Sequence, residues 1–274
     1  MAGEKQEELK EKNLCQRIKN FVAVFAEKHV IPFVKNKILL LVSLFNSFSN
    51  ELKQRIFVGT AIAFGLTVCV VFGNVIYIVM VFSICCLMVY ELIDIASKIE
   101  QSNNKIFVLL RRWGLIYIVI CCVSLVLIRE SEQGLKVSLW MYLVVWSVDV
   151  GAYIFGKKFG KLKLAPEISP NKTYEGAILG SFCGIVTSVL LYNTFSSGAQ
   201  DAFSLYSHII FTLIVVILAQ LGDLSESFVK RLCGVKDSGN ILLGHGGVLD
   251  RFDSFLIVAP FIFVVLFFNG GVLF

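Results

Sequence analysis

Charge is what this sequence has least of. Only 16% of its 274 residues are Asp, Glu, Lys or Arg, where a soluble domain carries about a quarter. With 57% hydrophobic residues, that deficit excludes an ordinary water-soluble domain. The eight cysteines include no C-x-x-C pair and lie mostly in apolar runs. They read as small packing residues, not as a zinc site or a disulfide framework. No basic patch is interleaved with aromatics, so the net charge of +5 is no nucleic-acid signature. The N-terminal MAGEKQEELKEKNL lacks the basic start and short apolar core of a signal peptide. It reads as a cytoplasmic, partly helical extension.

What the chain does have is apolar runs near the roughly 20 residues that a helix needs to cross a bilayer. They are continuous, whereas a membrane β-barrel would alternate in segments of about 10 residues. The expected fold class is all-α, a polytopic transmembrane protein of about seven to nine membrane helices. Spans are predicted at 56–72, 75–96, 113–128, 137–155, 176–195, 208–222 and 255–273. The stretch 21–49 contains ILLLVSLF but is interrupted by Lys35, Lys37 and Pro32. It fits either a surface-lying segment or a short embedded hairpin. With no internal repeat, the expected division is an extension over 1–55 and one membrane domain over 56–274.

One alternating set of loops and loop edges holds thirteen basic residues, among them Lys98, Arg112, Lys157, Lys172, Lys230 and Arg251. The other set holds only Arg129 and Lys136. The positive-inside rule puts the first set in the cytoplasm. Gly176, Gly180 and Gly184 recur every four residues, a smooth groove for close helix packing.

Three polar clusters fall on the predicted inner face. Asp149 lies in an apolar run, where an acid costs about 2.5–3.5 kcal/mol at a helix centre. Tyr153 and Gly156 follow on its helical face. In APEISPNKTYEG, from Ala165, Pro166 and Pro170 break helix, and Ser169, Asn171, Lys172 and Thr173 crowd donors together. Asn171 or Thr173 would cap the next helix, and a helix start beside a lysine suits an anion. The third cluster runs from Asp223 to Ser254. Asp223, Glu226, Ser227 and Lys230 share one helical face, with Arg231 beside them. Lys236, Asp237, His245, Asp250 and Asp253 follow. Carboxylates suit Mg²⁺ and Lys and Arg suit phosphate. Together they are parts for phosphoryl or nucleotidyl transfer.

The stretch S-F-V-K-R-x4-K-D-S-G-x2-L-x2-H-G-G-V-L-D-R-F-D, Ser227 to Asp253, resembles the signature of CDP-diacylglycerol synthases, also called phosphatidate cytidylyltransferases. D-V-G-A-Y-I-F-G-x3-G and I-S-P-N-K-T-Y-E-G, between Asp149 and Gly176, are similar to other stretches of that family. One departure is Leu243, where the family usually has proline. The resemblance covers the C-terminal half and implies transfer of CMP from CTP to phosphatidic acid, releasing pyrophosphate. It implies Asp223 and Asp250 as metal ligands, with Glu226 and Asp253 as candidates for the same shell around Mg²⁺ and, as an open alternative, a second cation. Lys172, Lys230, Arg231 and Lys236 would neutralise phosphate, and Ser169 and Asn171 would hold it. His245 would orient phosphate, since a phosphate nucleophile is already ionised. Asp149, Ser227 and Arg251 complete the substrate-contacting set. The resemblance also implies a homodimer. The short loops and modest length point to a multi-pass protein of a bacterial inner membrane, and the loop charges put the active site on its cytoplasmic face. A CTP-dependent polyprenol kinase and an ion or phosphate transporter are the rival readings.

Overall fold

The computed structural model describes residues 50–97, 104–195, 205–242, 246–270 and 273. The stretch 21–49 lies outside them, as does His245. Seven helices occur among the described residues: α1 (Asn50–Phe72), α2 (Asn74–Ser97), α3 (Asn104–Glu130), α4 (Gly134–Phe159), α5 (Tyr174–Phe195), α6 (Leu205–Leu232) and α7 (Leu249–Phe268). Each contains one predicted span or most of one. Six of them are long and apolar enough to cross a membrane, and α1 contains a shorter apolar stretch, Gly59–Phe72. The protein is a polytopic helical membrane protein. Helices suit this composition because each backbone N–H and C=O is satisfied within its own segment, where lipid offers no partner. Large apolar side chains such as Phe82, Phe182 and Phe267 are exposed, as a lipid-facing surface requires.

The residues from Val58 onward form one compact unit. At one end, Gly73 links α1 to α2 with φ of 64°, a conformation glycine adopts without steric cost. Arg129 at the end of α3 donates from Nε to the Val70 carbonyl of α1 at 2.8 Å. Gln133, before α4, accepts the Leu273 N–H at 3.0 Å. The opposite end carries the α4–α5 and α6–α7 connections, and the candidate site lies there.

The glycine groove is used inside the chain. A Cβ on Gly180 would stand 2.7 Å from the Val148 carbonyl oxygen and 2.8 Å from the Ala152 nitrogen. One on Gly176 would stand 2.8 Å from the Ala152 oxygen. Backbone of α5 therefore lies directly on backbone of α4, which brings the acid of α4 near the start of α5. Farther along the same pair, Ser188 accepts from Trp140 Nε1 at 2.8 Å and bonds Thr212 of α6 at 2.7 Å. These buried polar groups satisfy one another in an apolar setting.

Two features differ from the sequence expectation. The polar 165–173 stretch, read as a loop, forms a hairpin: β1 (Lys163–Ala165) pairs antiparallel with β2 (Ser169–Thr173). Pro170 is tolerated in it because both strands are edges, where a missing N–H costs no ladder bond. The helices also extend beyond their apolar cores. α6 continues to Leu232 and α7 begins at Leu249, where hydropathy ends one span at 222 and starts the next at 255. Hydropathy marks the lipid-contacting part of a helix, not its last hydrogen bond. Asp223 to Lys230, Asp250 and Asp253 are consequently all helical.

Candidate active site

The C-terminal end of α6 supplies the first part. Asp223, Glu226, Ser227 and Lys230 follow one helical face, and Glu226, Ser227 and Lys230 are buried. Buried charge is costly unless it is paired and hydrogen-bonded. Lys230 is paired twice, with Glu226 one turn back and with Asp250 Oδ1 of α7 at 2.6 Å. Asp250 also accepts the Ser238 N–H at 3.0 Å and the Gly247 N–H at 2.8 Å. Its carboxylate thus joins α6, the preceding loop and the first turn of α7.

The hairpin supplies the second part. Thr173 Oγ1 accepts the Gly176 N–H at 3.2 Å and caps α5. Glu175 accepts the N–H groups of Lys161 at 3.1 Å and Leu162 at 3.3 Å. So anchored, β2 extends Lys172 to Asp223, with Nζ 2.7 Å from Oδ2. Arg231 ties the hairpin turn to the end of α6, donating to the carbonyls of Ile168 at 3.0 Å and Val235 at 2.8 Å. Ser169 is half-buried and Asn171 exposed on β2, and Lys236 is exposed after α6.

Acids converge between these parts. Asp149 of α4 lies within the electrostatic reach of Asp223, Lys172 and Arg251. Asp253 of α7 lies within that of Asp223, Asp149 and Glu226. The approach is close because Gly222 has no side chain: a Cβ there would stand 2.7 Å from the Asp253 carbonyl oxygen. Among the described residues no three His, Cys, Asp or Glu side chains form a ready-made metal cage. Mg²⁺ does not require one, since it keeps waters and completes its shell with substrate phosphates. Hard carboxylates drawn from three helices, with Glu226 Oε1 buried and lacking a hydrogen-bond partner, fit that cation in donor chemistry. Asp250 differs from its neighbours. Its oxygens already receive an ammonium and two backbone N–H groups, which leaves fewer lone pairs for a metal.

Sequence reasoning missed one residue that the structure brings in. Glu91 of α2, 1% exposed, accepts from Ser238 Oγ at 3.0 Å. It also accepts the N–H groups of Val248 at 2.9 Å and Leu249 at 2.8 Å. The signal was available: VYELIDIA places an acid in an apolar run, the same anomaly that drew attention to Asp149.

Residues 112–269 match the family model described as "Cytidylyltransferase family". The chain belongs to the cytidylyltransferase family. Within that family it is similar to the "Phosphatidate cytidylyltransferase" of Bacillus subtilis (strain 168), 49% identical over 152 residues, 55% of each chain. It is also 47% identical over 140 residues to the protein of that name from Staphylococcus aureus (strain COL), covering 50% of this chain and 52% of that one. A third relative of the same name, from Staphylococcus haemolyticus (strain JCSC1435), is 49% identical over 137 residues, covering 49% of this chain and 50% of that one. The chain spans about half the length of the curated relatives it matches. In this cytidylyltransferase-family protein every site residue predicted from the sequence falls inside the matched segment, and Glu91 falls outside it.

Proposed function

We propose that the protein transfers CMP from CTP to phosphatidic acid, forming CDP-diacylglycerol and pyrophosphate at the cytoplasmic face of a bacterial inner membrane. The observation that carries this reading is the inner-end constellation itself. Lys172 and Asp223 sit beside a second ion-pair group built on Lys230, with acids from α4, α6 and α7 around them, in a protein whose flanks face lipid. A polar nucleotide and an apolar lipid can meet only at such a boundary. The names of the relatives support the same chemistry, and the thirteen basic residues of one loop set support the cytoplasmic orientation.

In the reaction a phosphate oxygen of the lipid forms a bond to the α-phosphorus of CTP. The bond to the bridging oxygen of the β-phosphate breaks, and pyrophosphate leaves with that electron pair. Lys172, held at the mouth of the site by β2, neutralises the triphosphate. Arg251, whose charge reaches Asp149, is placed to share that task with the exposed Lys236. Arg231 fixes the hairpin, and Ser169 and Asn171 present polar groups along it. Ser227 packs beside Glu226 inside the α6 face. His245 belongs to the glycine-rich loop and is assigned the orientation of phosphate. Mg²⁺, held by Asp223 with Asp253 and Asp149, would screen charge between the two phosphates and stabilise the leaving pyrophosphate. No general base is required, because the attacking phosphate is ionised near pH 7 and positioning supplies most of the acceleration.

The products discriminate this reading from its rivals. Purified protein with CTP, Mg²⁺ and phosphatidic acid should release pyrophosphate. Release of CDP with a polyprenol acceptor would instead identify a kinase, and nucleotide-independent flux into vesicles would identify a transporter. A homodimer is part of the proposal, tested by the mass of the protein in detergent.

A further inference from the structure

We infer that Glu91, outside the family-matched segment, is a positioning residue for the metal and nucleotide site. It acts by setting the first turn of α7. The inference rests on the cytidylyltransferase reading of the site. The first N–H groups of any helix have no partner within the helix. In α7 those of Val248 and Leu249 are both taken by the Glu91 carboxylate, which also complements the positive end of the helix dipole. Oxygen Oε2 receives Ser238 Oγ as well as Leu249, while Oε1 receives Val248. Ser238 in turn donates its N–H to Asp250, and Asp250 holds Lys230. A continuous hydrogen-bonded path therefore leads from α2 to the ion pairs of α6.

Two glycines admit the carboxylate. A Cβ on Gly239 would stand 2.9 Å from Glu91 Oε1, and one on Gly247 would strike both carboxylate oxygens. The loop is thus shaped around Glu91 on two sides. This has a consequence for the substrate. With the Val248 and Leu249 N–H groups occupied, these two are not free to cradle phosphate. Side chains such as Lys172 and Arg251 are left to meet the phosphate charge there.

Substitution by glutamine separates these contacts. In Glu91→Gln the remaining amide oxygen would still accept Val248, and the new NH₂ could donate to Ser238 Oγ. The Leu249 N–H, however, would face another donor and lose its partner. The experiment is hydrogen exchange on detergent-solubilised full chain, wild type against Glu91→Gln and Ser238→Ala, paired with Mg²⁺ titration of CTP turnover. Glu91→Gln should speed exchange in peptides covering 246–251 and leave those of the α4–α5 packing unchanged. It should raise the Mg²⁺ needed for half-maximal rate by about 10–100-fold, as loss of an outer-shell partner does, with KM for the lipid unmoved. Ser238→Ala should give a smaller shift in the same direction. Ser188→Ala, which removes a buried hydrogen bond far along α5, controls for plain loss of stability and should leave the Mg²⁺ requirement alone. Unchanged exchange at 246–251, or an unchanged Mg²⁺ requirement in Glu91→Gln, overturns the inference. Wild-type protein that turns over no CTP would sink the proposed function instead, while the exchange data would still decide whether Glu91 sets the loop.

Discussion

Lys230 of α6 and Asp250 of α7 stand 2.6 Å apart with only a tenth of either side chain exposed. This buried pair is the joint between the last two membrane helices. Around it the chain resolves one physical problem twice: charge needed for chemistry must sit beside lipid without being left unpaired. The Lys230 group achieves this by burying one ammonium between two carboxylates, and the Lys172–Asp223 group by a direct ion pair whose side chains stay partly exposed.

Removing Lys230 should therefore be costly for the fold. Lys230→Met would leave Glu226 and Asp250 as uncompensated neighbours. We expect a loss of about 3–5 kcal/mol, the usual result of stripping one partner from a buried pair. Thermal melting in detergent measures it.

Lys172→Met should behave in the opposite way. Its pair with Asp223 leaves 23% and 34% of the two side chains exposed, so stability should change by no more than about 1 kcal/mol. Turnover of CTP should nonetheless fall by about a hundredfold, as for loss of a preorganised charge in an active site. A variant that melts early and retains activity would assign Lys172 to structure.

The glycine contacts predict a position-dependent tolerance. Gly180→Val and Gly222→Val put a side chain into backbone of the neighbouring helix. Each should destabilise by about 1–3 kcal/mol, the cost of overpacking. Gly65, with nothing within 4 Å of its Cβ position, should accept valine with no such penalty. Gly222→Val should additionally lower activity, because it separates Asp223 from Asp253.

The membrane helices and the three polar clusters were legible in the sequence, because both leave local signals: long apolar runs, and charges in places that lipid disfavours. The C-terminal end of α6 was less so. Helix continues to Leu232, well past the point where hydropathy falls, sustained by the i,i+4 pair of Glu226 and Lys230. The hairpin escaped because two prolines and a string of polar residues look like a loop until Lys163 and Thr173 are seen to pair. Glu91 escaped for a different reason. Its partners lie 147 to 158 residues downstream, and only folding brings them together. That Asp250 is so fully engaged by Lys230 and two backbone groups was likewise invisible in one dimension.

Metal dependence should be readable without turnover. If Asp149, Asp223 and Asp253 hold Mg²⁺, the cation stabilises the folded state by mass action, about 2.7 kcal/mol at a hundred times its Kd. The melting temperature of wild-type protein should then rise with Mg²⁺, and that of Asp223→Asn should rise much less. Equal responses would place the metal elsewhere.

Cytidylyl transfer at this site is best decided by following the α-phosphorus. Purified full chain in detergent is given phosphatidic acid, Mg²⁺ and CTP labelled at that atom, with Asp223→Asn in parallel. Label should pass into the lipid fraction only when phosphatidic acid and Mg²⁺ are both present, and the variant should lose the transfer. Folded wild-type protein that leaves all label in the aqueous phase would refute cytidylyl transfer.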